Sequence, residues 1–174
     1  MHIENEVKYD FSDVLIKPKR SYYTSRKEVD LERDFKFKWS NLSWKGVPIV
    51  AANMDTVGTI GSAEVLSKHK VLTCLHKFHT ADELLKISSR IKEYVAITIG
   101  VAEGLQTLHD LGEQIKDFNF ICIDVANGYT EQFCEFIKLA RSEFENKIII
   151  AAVSYTHLRA HETRHDLVCR LLLE

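Results

Sequence analysis

From Val47 onward the chain alternates two patterns. Short, nearly continuous apolar runs of six or seven residues are separated by stretches in which apolar residues recur every third or fourth position. The apolar runs are Val47–Asn53 (VPIVAAN), Val71–Lys77 (VLTCLHK), Val95–Val101 (VAITIGV), Phe120–Ala126 (FICIDVA) and Ile148–Val153 (IIIAAV). The intervening stretches predict helices: one from Gly61 to Lys70, one over Ala81–Glu93 started by Thr80 or Asp82, one over Leu105–Lys116, and one over Glu131–Glu143 with Phe133, Phe136, Ile137 and Ala140 on one side. Strands that are apolar on both faces and alternate with amphipathic helices make a parallel sheet covered on both sides. Strand starts recur at intervals of roughly 24 to 28 residues, one βα unit each, and eight units would make a (β/α)₈ barrel of about 250 residues. About five fit here, so the expected fold is α/β, a partial (β/α)₈ TIM barrel preceded by an amino-terminal arm. A doubly wound sheet also closes with five strands, but NMDTVGTIG after the first run is not the G-x-G-x-x-G phosphate fingerprint.

The arm is Met1–Ser40. Its apolar patch at Phe11, Val14, Leu15 and Ile16 ends at Pro18 within the basic run Lys17, Lys19, Arg20, which reads as a docking arm rather than a barrel element. Phe35, Phe37 and Trp39 alternate with Lys36 and Lys38, the period of a half-exposed strand or hairpin arm. Ser25-Arg26 reads either as solvated loop or as a phosphate contact, since a guanidinium fork beside a hydroxyl matches phosphate oxygens.

Three apolar runs end in unusual polar residues: Asn53, Met54, Asp55 and Thr56; His76 and Lys77; Asp124 and Asn127. In a barrel these ends share one rim, where such folds keep their chemistry. Lys77 and Asp124, two strands apart, would come within ion-pair reach. Such a pair can move a proton in a partly dry cleft, or it can be a structural salt bridge; Asp124 alone can also be a turn former.

The 174 residues are 45% hydrophobic and 28% charged with a net charge of −2, which suits a globular core and argues against a chain-wide footprint for nucleic acid or an anionic membrane. No apolar run approaches the roughly 18 residues of a membrane span, and Met1–Asp10 has no signal core, so a cytoplasmic protein is expected. Cys74, Cys122, Cys134 and Cys169 show no CxxC spacing, and reduced thiols are expected.

The segments FSDVLIKPKRS, SRKEVDLERDFKF, VPIVAANMDTVGT, LHKFHT and ICIDVANGYTEQF, in this order, resemble the amino-terminal part of the IMP dehydrogenase/GMP reductase family, on its reductase side. The resemblance covers about Phe11 to Ile150 and implies a (β/α)₈ barrel acting as a homotetramer. The implied activity is NADPH-dependent reductive deamination of GMP to IMP and ammonia, through a cysteine nucleophile and a monovalent (potassium) cation site. It implies that Ser25 and Arg26 contact the NADP of a neighbouring subunit. Lys77 and Asp124, with Val125 and Ala126, would form the catalytic, cofactor-side cluster that helps ammonia leave, and Met54 would pack near the purine. The alternatives are IMP dehydrogenase and a non-catalytic nucleotide-binding module. Only the predicted helix Ala81–Glu93 separates Lys77 from Val95, where many dehydrogenases insert regulatory modules.

The resemblance implies a division into residues 1–150, barrel sequence, and 151–174, a non-family tail read as a truncation artefact. The nucleophilic cysteine and the cation site would then be missing, and the polypeptide inactive. None of Cys74, Cys122 or Cys134 falls at the nucleophile's position, and Cys169 lies in the tail. His161-Glu162-Thr163-Arg164-His165 formally matches HExxH, yet Leu158, Arg159 and Ala160 offer little apolar face and no third ligand is evident, so no metal site is expected.

Overall fold

A computed structural model describes residues 7, 9, 11–102 and 104–153. The tail beyond residue 153, with Cys169 and the HExxH match, therefore lies outside the described residues, whereas the expected boundary at residue 150 falls within β6 (Ile148–Val153). The chain divides into two units, Met1–Asp30 and Leu31–Glu174.

Within the first unit the described residues form two short 3₁₀ turns, Phe11–Asp13 and Arg26–Glu28. Leu15 and Ile16 are each 97% exposed, and Tyr22 is fully exposed. Ser25 starts the second turn, its hydroxyl accepting the Lys27 N–H at 3.2 Å. Thr24 Oγ1 donates to Glu28 Oε1 at 2.7 Å, and this bond, first among the causes, holds the Glu28 carboxyl below its ordinary value.

The second unit is built on a six-stranded sheet of order β1-β2-β3-β4-β5-β6. The strands are β1 (Arg33–Lys36), β2 (Ser43–Ala51), β3 (Val71–Cys74), β4 (Val95–Ile99), β5 (Phe120–Val125) and β6 (Ile148–Val153). β1 and β2 pair antiparallel from Arg33↔Gly46 to Lys36↔Ser43; every later pair is parallel. β2 thus serves two roles. Its first half closes a hairpin on β1, and after a register shift between Val47 and Val50 its second half runs beside β3. Sequential order with parallel neighbours is the connectivity of consecutive barrel units.

Helices α1 (Ile60–Leu66), α2 (Ala81–Leu85), α3 (Gln106–Asp110) and α4 (Glu131–Glu143) connect the strands. α4 has the predicted bounds, opened by Thr130 accepting the Phe133 N–H. The others are shorter than predicted. α3 gives way to a 3₁₀ segment, Gly112–Asp117, where Gly112 takes a φ of +51°. α1 tightens into Ser67–His69 and stops at Lys70, at φ +55°. The apolar period that predicted longer helices persists through the 3₁₀ turns, because Leu111 and Ile115 still reach the core.

Two cores follow from strand alternation. On one face Leu75, Val95, Ile97, Ile121 and Ile123 meet helix residues Ala63, Leu84, Leu108 and Phe133. On the other, Cys74, Ala96, Phe120 and Ile148 stand in register, with Cys122, Ile150 and Ala152 beyond them. Trp44 covers the start of this second face, its ring 5.7 Å from Phe120 and edge-on, while its indole N–H donates to the Glu93 carbonyl at 3.1 Å. Phe37 meets Phe120 edge-on at 5.8 Å. In a closed barrel this second face is the interior.

Candidate functional site at the carboxyl ends of the strands

The parallel register brings the unusual strand-end residues to one edge. Asp124 is the penultimate residue of β5, opposite Ala152 of β6. It falls on the same face as Phe120 and Cys122, the face that becomes a barrel interior. Lys77 lies three residues past the end of β3. Both therefore stand at the carboxyl edge, the end where parallel α/β sheets place ligands. Asp124 is half-buried and Lys77 exposed, its ammonium 5.6 Å from the Phe78 ring. Val125 is half-buried against the helix-side core, and Ala126 is exposed at the turn that follows. In that turn Asn127 Oδ1 accepts the Tyr129 N–H at 3.0 Å.

Met54 belongs to the β2–α1 connection at the same edge. Its carbonyl accepts the N–H groups of Val57 and Gly58 at 2.9 and 2.7 Å. That turn presses Gly58 onto the end of β3: the Gly58 carbonyl accepts the His76 N–H at 2.8 Å, and a Cβ there would overlap the Cys74 carbonyl oxygen. Ser25 and Arg26 are exposed and belong to the first unit.

The described cysteines do not supply an activated thiolate at this edge. Cys74 and Cys122 are buried on the interior-type face. The Cys122 thiol is pushed well above its ordinary value, first by its hydrogen bond with Cys74 and next by burial, which keeps it protonated and inert. Cys134 is exposed on α4.

A shallow hollow of about 460 Å³, lined by residues including Trp39, Asn41, Lys138 and Arg141, lies at the other end of the sheet, beside the carboxyl end of α4. The Arg141 guanidinium is committed there to the carbonyls of Phe144, Glu145 and Lys147. Conserving structure is the usual business of that end of a barrel.

The family model for the IMP dehydrogenase / GMP reductase domain matches residues 8–163. The chain belongs to the IMP dehydrogenase/GMP reductase family. It is similar to the GMP reductase of Buchnera aphidicola subsp. Schizaphis graminum, 46% identical over 159 residues, which are 87% of this chain and 45% of that protein. It is also similar to GMP reductase 1 of Homo sapiens, 43% identical over 153 residues, covering 86% of this chain and 44% of that one. The chain thus spans a little under half the length of these relatives. Among solved structures, inosine 5′ monophosphate dehydrogenase from Legionella pneumophila superposes with a TM-score of 0.61 at 24% identity, over 80% of this chain and 42% of that one. That likeness, with the strand order, shows the fold of this family member to be part of a (β/α)₈ barrel.

Pattern reading singled out the edge but passed over two residues of it. His79 and Glu83 follow Lys77 closely, and the Thr80-x-x-Glu83 spacing was the legible signal: Thr80 and Glu83 form a reciprocal cap at the start of α2. The second predicted helix ends at Leu85 rather than Glu93, because Ser88 and Ser89 interrupt it and its first turn is devoted to that cap.

Proposed function

We propose that this chain forms the amino-terminal barrel units of an enzyme that uses NADPH to convert GMP into IMP and ammonia, a purine nucleotide interconversion of the cytoplasm. Support comes chiefly from one observation: relatives named GMP reductase match 86–87% of the chain at 43–47% identity. Lys77 and Asp124 are the catalytic pair in this reading. An ammonium and a carboxylate at one strand edge can pass a proton between them and to the departing amino group of the purine, the carboxylate holding the positive charge while ammonia leaves.

NADPH, when bound, supplies the hydride. The described residues suit it: Arg26 and Lys77 are exposed cations able to meet phosphate or carboxamide oxygens, and the small Ala126 leaves the β5 turn open to a planar ring. Ser25 and Arg26 serve the cofactor of a neighbouring subunit in a homotetramer, and Val125 and Ala126 line the cofactor side beside Asp124. Met54 packs against the purine. By the family resemblance, the potassium site is assigned to other residues of the family barrel. The same holds for the nucleophilic cysteine, and residues 164–174 lie beyond the family match.

The 174-residue polypeptide itself should not oxidise NADPH with GMP. A chimera tests the reading: residues 1–153 joined to the corresponding remainder of the Klebsiella pneumoniae GMP reductase, a relative 46% identical over 156 residues. It should oxidise NADPH with GMP, and Lys77→Ala or Asp124→Ala should each lower kcat by about 10²–10⁴-fold. Reduction of NAD with IMP instead would assign the dehydrogenase activity, and unchanged kcat in both variants would remove the proposed roles.

A further inference from the structure

Lys77 is exposed, yet the turn that carries it is fastened on both sides. On the strand side, the His76 N–H donates to the Gly58 carbonyl at 2.8 Å. Across the turn, the imidazoles of His76 and His79 stack face to face, ring centroids 3.8 Å apart and planes 14° from parallel. On the helix side, His79 Nδ1 lies 3.4 Å from Glu83 Oε2, and that same oxygen accepts the Thr80 N–H at 2.9 Å. The Glu83 carboxyl is held below its ordinary value, first by this Thr80 bond and also by His79. The chain of contacts runs from α2 through Glu83 and His79 to His76, and between the two imidazoles only Lys77 and Phe78 project outward, Phe78 65% exposed.

The arrangement has a cost. His76 Nδ1 and His79 Nε2 are buried without a hydrogen-bond partner among the described residues, and the His79 side chain is only 12% exposed. Each such group is less stable there than it would be in water. Two leucines would fill the same space without that penalty, so stability alone does not account for the pair. What a flat ring pair adds over flexible side chains is a fixed separation and angle between residues 76 and 79, and hence a fixed exit direction for Lys77.

We propose that the His76–His79 stack, braced by Glu83, is a clasp that sets where the Lys77 ammonium stands. His79 and Glu83 are then positioning residues, acting through Lys77 without touching substrate or cofactor. The inference rests on reading Lys77 as a cofactor-side cation.

The test uses the 174-residue chain with its lysines ¹³C-dimethylated, a change that keeps their charge, and the Lys77 signal assigned through Lys77→Arg. His79→Ala removes the stack and should shift and broaden that signal. His79→Phe restores an aromatic face and should return it to the parent position. Glu83→Gln keeps an acceptor for the Thr80 N–H but removes the anion beside His79, and should give an intermediate displacement. Thermal midpoints are recorded alongside, since a merely structural role would lower them without ranking the Lys77 signal in this way. NADPH, added as probe, should move the Lys77 signal in the parent, and His79→Ala should need roughly tenfold more of it, within the coupling range of contacting residues. An unmoved Lys77 signal in His79→Ala, or equal displacement in His79→Phe, overturns the proposal. If His79→Ala fails to fold, Glu83→Gln decides alone: no displacement overturns it. A parent signal indifferent to NADPH refutes the cofactor reading only, and the clasp still stands or falls on the variant spectra.

Discussion

Gly58→Ala is the substitution that most directly separates packing from chemistry at the strand edge. Added to Gly58, a Cβ would overlap the Cys74 carbonyl oxygen and stand 2.9 Å from the His76 nitrogen and 3.0 Å from the Ala52 carbonyl oxygen. All three are backbone atoms, so no rotamer change relieves the contact and the β2–α1 turn must lift off β3. Overpacking of this kind costs about 1–3 kcal/mol. Lifting the turn also stretches the 2.8 Å bond from the His76 N–H to the Gly58 carbonyl, worth about 1 kcal/mol. The sum, roughly 2–4 kcal/mol, is a large share of the total stability of a domain and corresponds to a fall in thermal midpoint of roughly 5–15 °C for a chain of this size. Gly61→Ala is the matched control. Nothing lies within 4 Å of a Cβ at Gly61, which sits inside α1, so alanine there should raise stability by up to about 1 kcal/mol. Urea and thermal unfolding of both variants measure the contrast. A Gly58→Ala protein as stable as the parent, or a Gly61→Ala protein equally damaged, would refute the close approach of the β2–α1 turn to β3.

Lys147 offers a pH test. Its ammonium donates to the carbonyls of Ile115, Lys116 and Phe118 at 2.7, 3.1 and 2.8 Å, and burial pulls its pKa below the ordinary 10.5. The unfolded chain therefore binds more protons at this position between the lowered folded value and 10.5, so the lysine's contribution to stability rises with pH across that window. Lys147→Met should cost about 1–3 kcal/mol by stranding the three carbonyls, and the gap between parent and variant should widen as pH approaches 10.5; a narrowing gap in denaturant titrations would contradict the burial. For the thiols, brief iodoacetamide treatment of the native chain followed by peptide mass spectrometry should label Cys134 well ahead of Cys74 and Cys122, since Cys134 is exposed and the other two are buried; fast labelling of Cys122 would contradict its raised pKa.

The linear pattern carried the architecture. Apolar runs at Val95, Phe120 and Ile148 are strands because residues apolar on both sides suit only a doubly covered sheet, and α4 has a full amphipathic period with Thr130 as its cap. Helix lengths were less legible, since apolar spacing near 3.6 also fits an α-turn followed by 3₁₀ turns, and only the backbone at Gly112 shows where one becomes the other. The end of β3 was blurred in the same way: the apolar run continues through Leu75, whose N–H makes the last ladder bond to the Ala96 carbonyl, but strand pairing ends there because the His76 N–H turns to the Gly58 carbonyl.

By itself the sequence determined that Lys77 and Asp124 follow strand-like runs, because period and composition are local properties of the chain. That both stand at one edge was decided by parallel register, and that β2 divides between a hairpin and a barrel strand was decided by pairing with β1 and β3. The facing of His76 on His79 and the approach of Gly58 to Cys74 belong wholly to tertiary structure. Each depends on where a turn directs the next few atoms, a matter of ångströms that residue type and spacing do not encode.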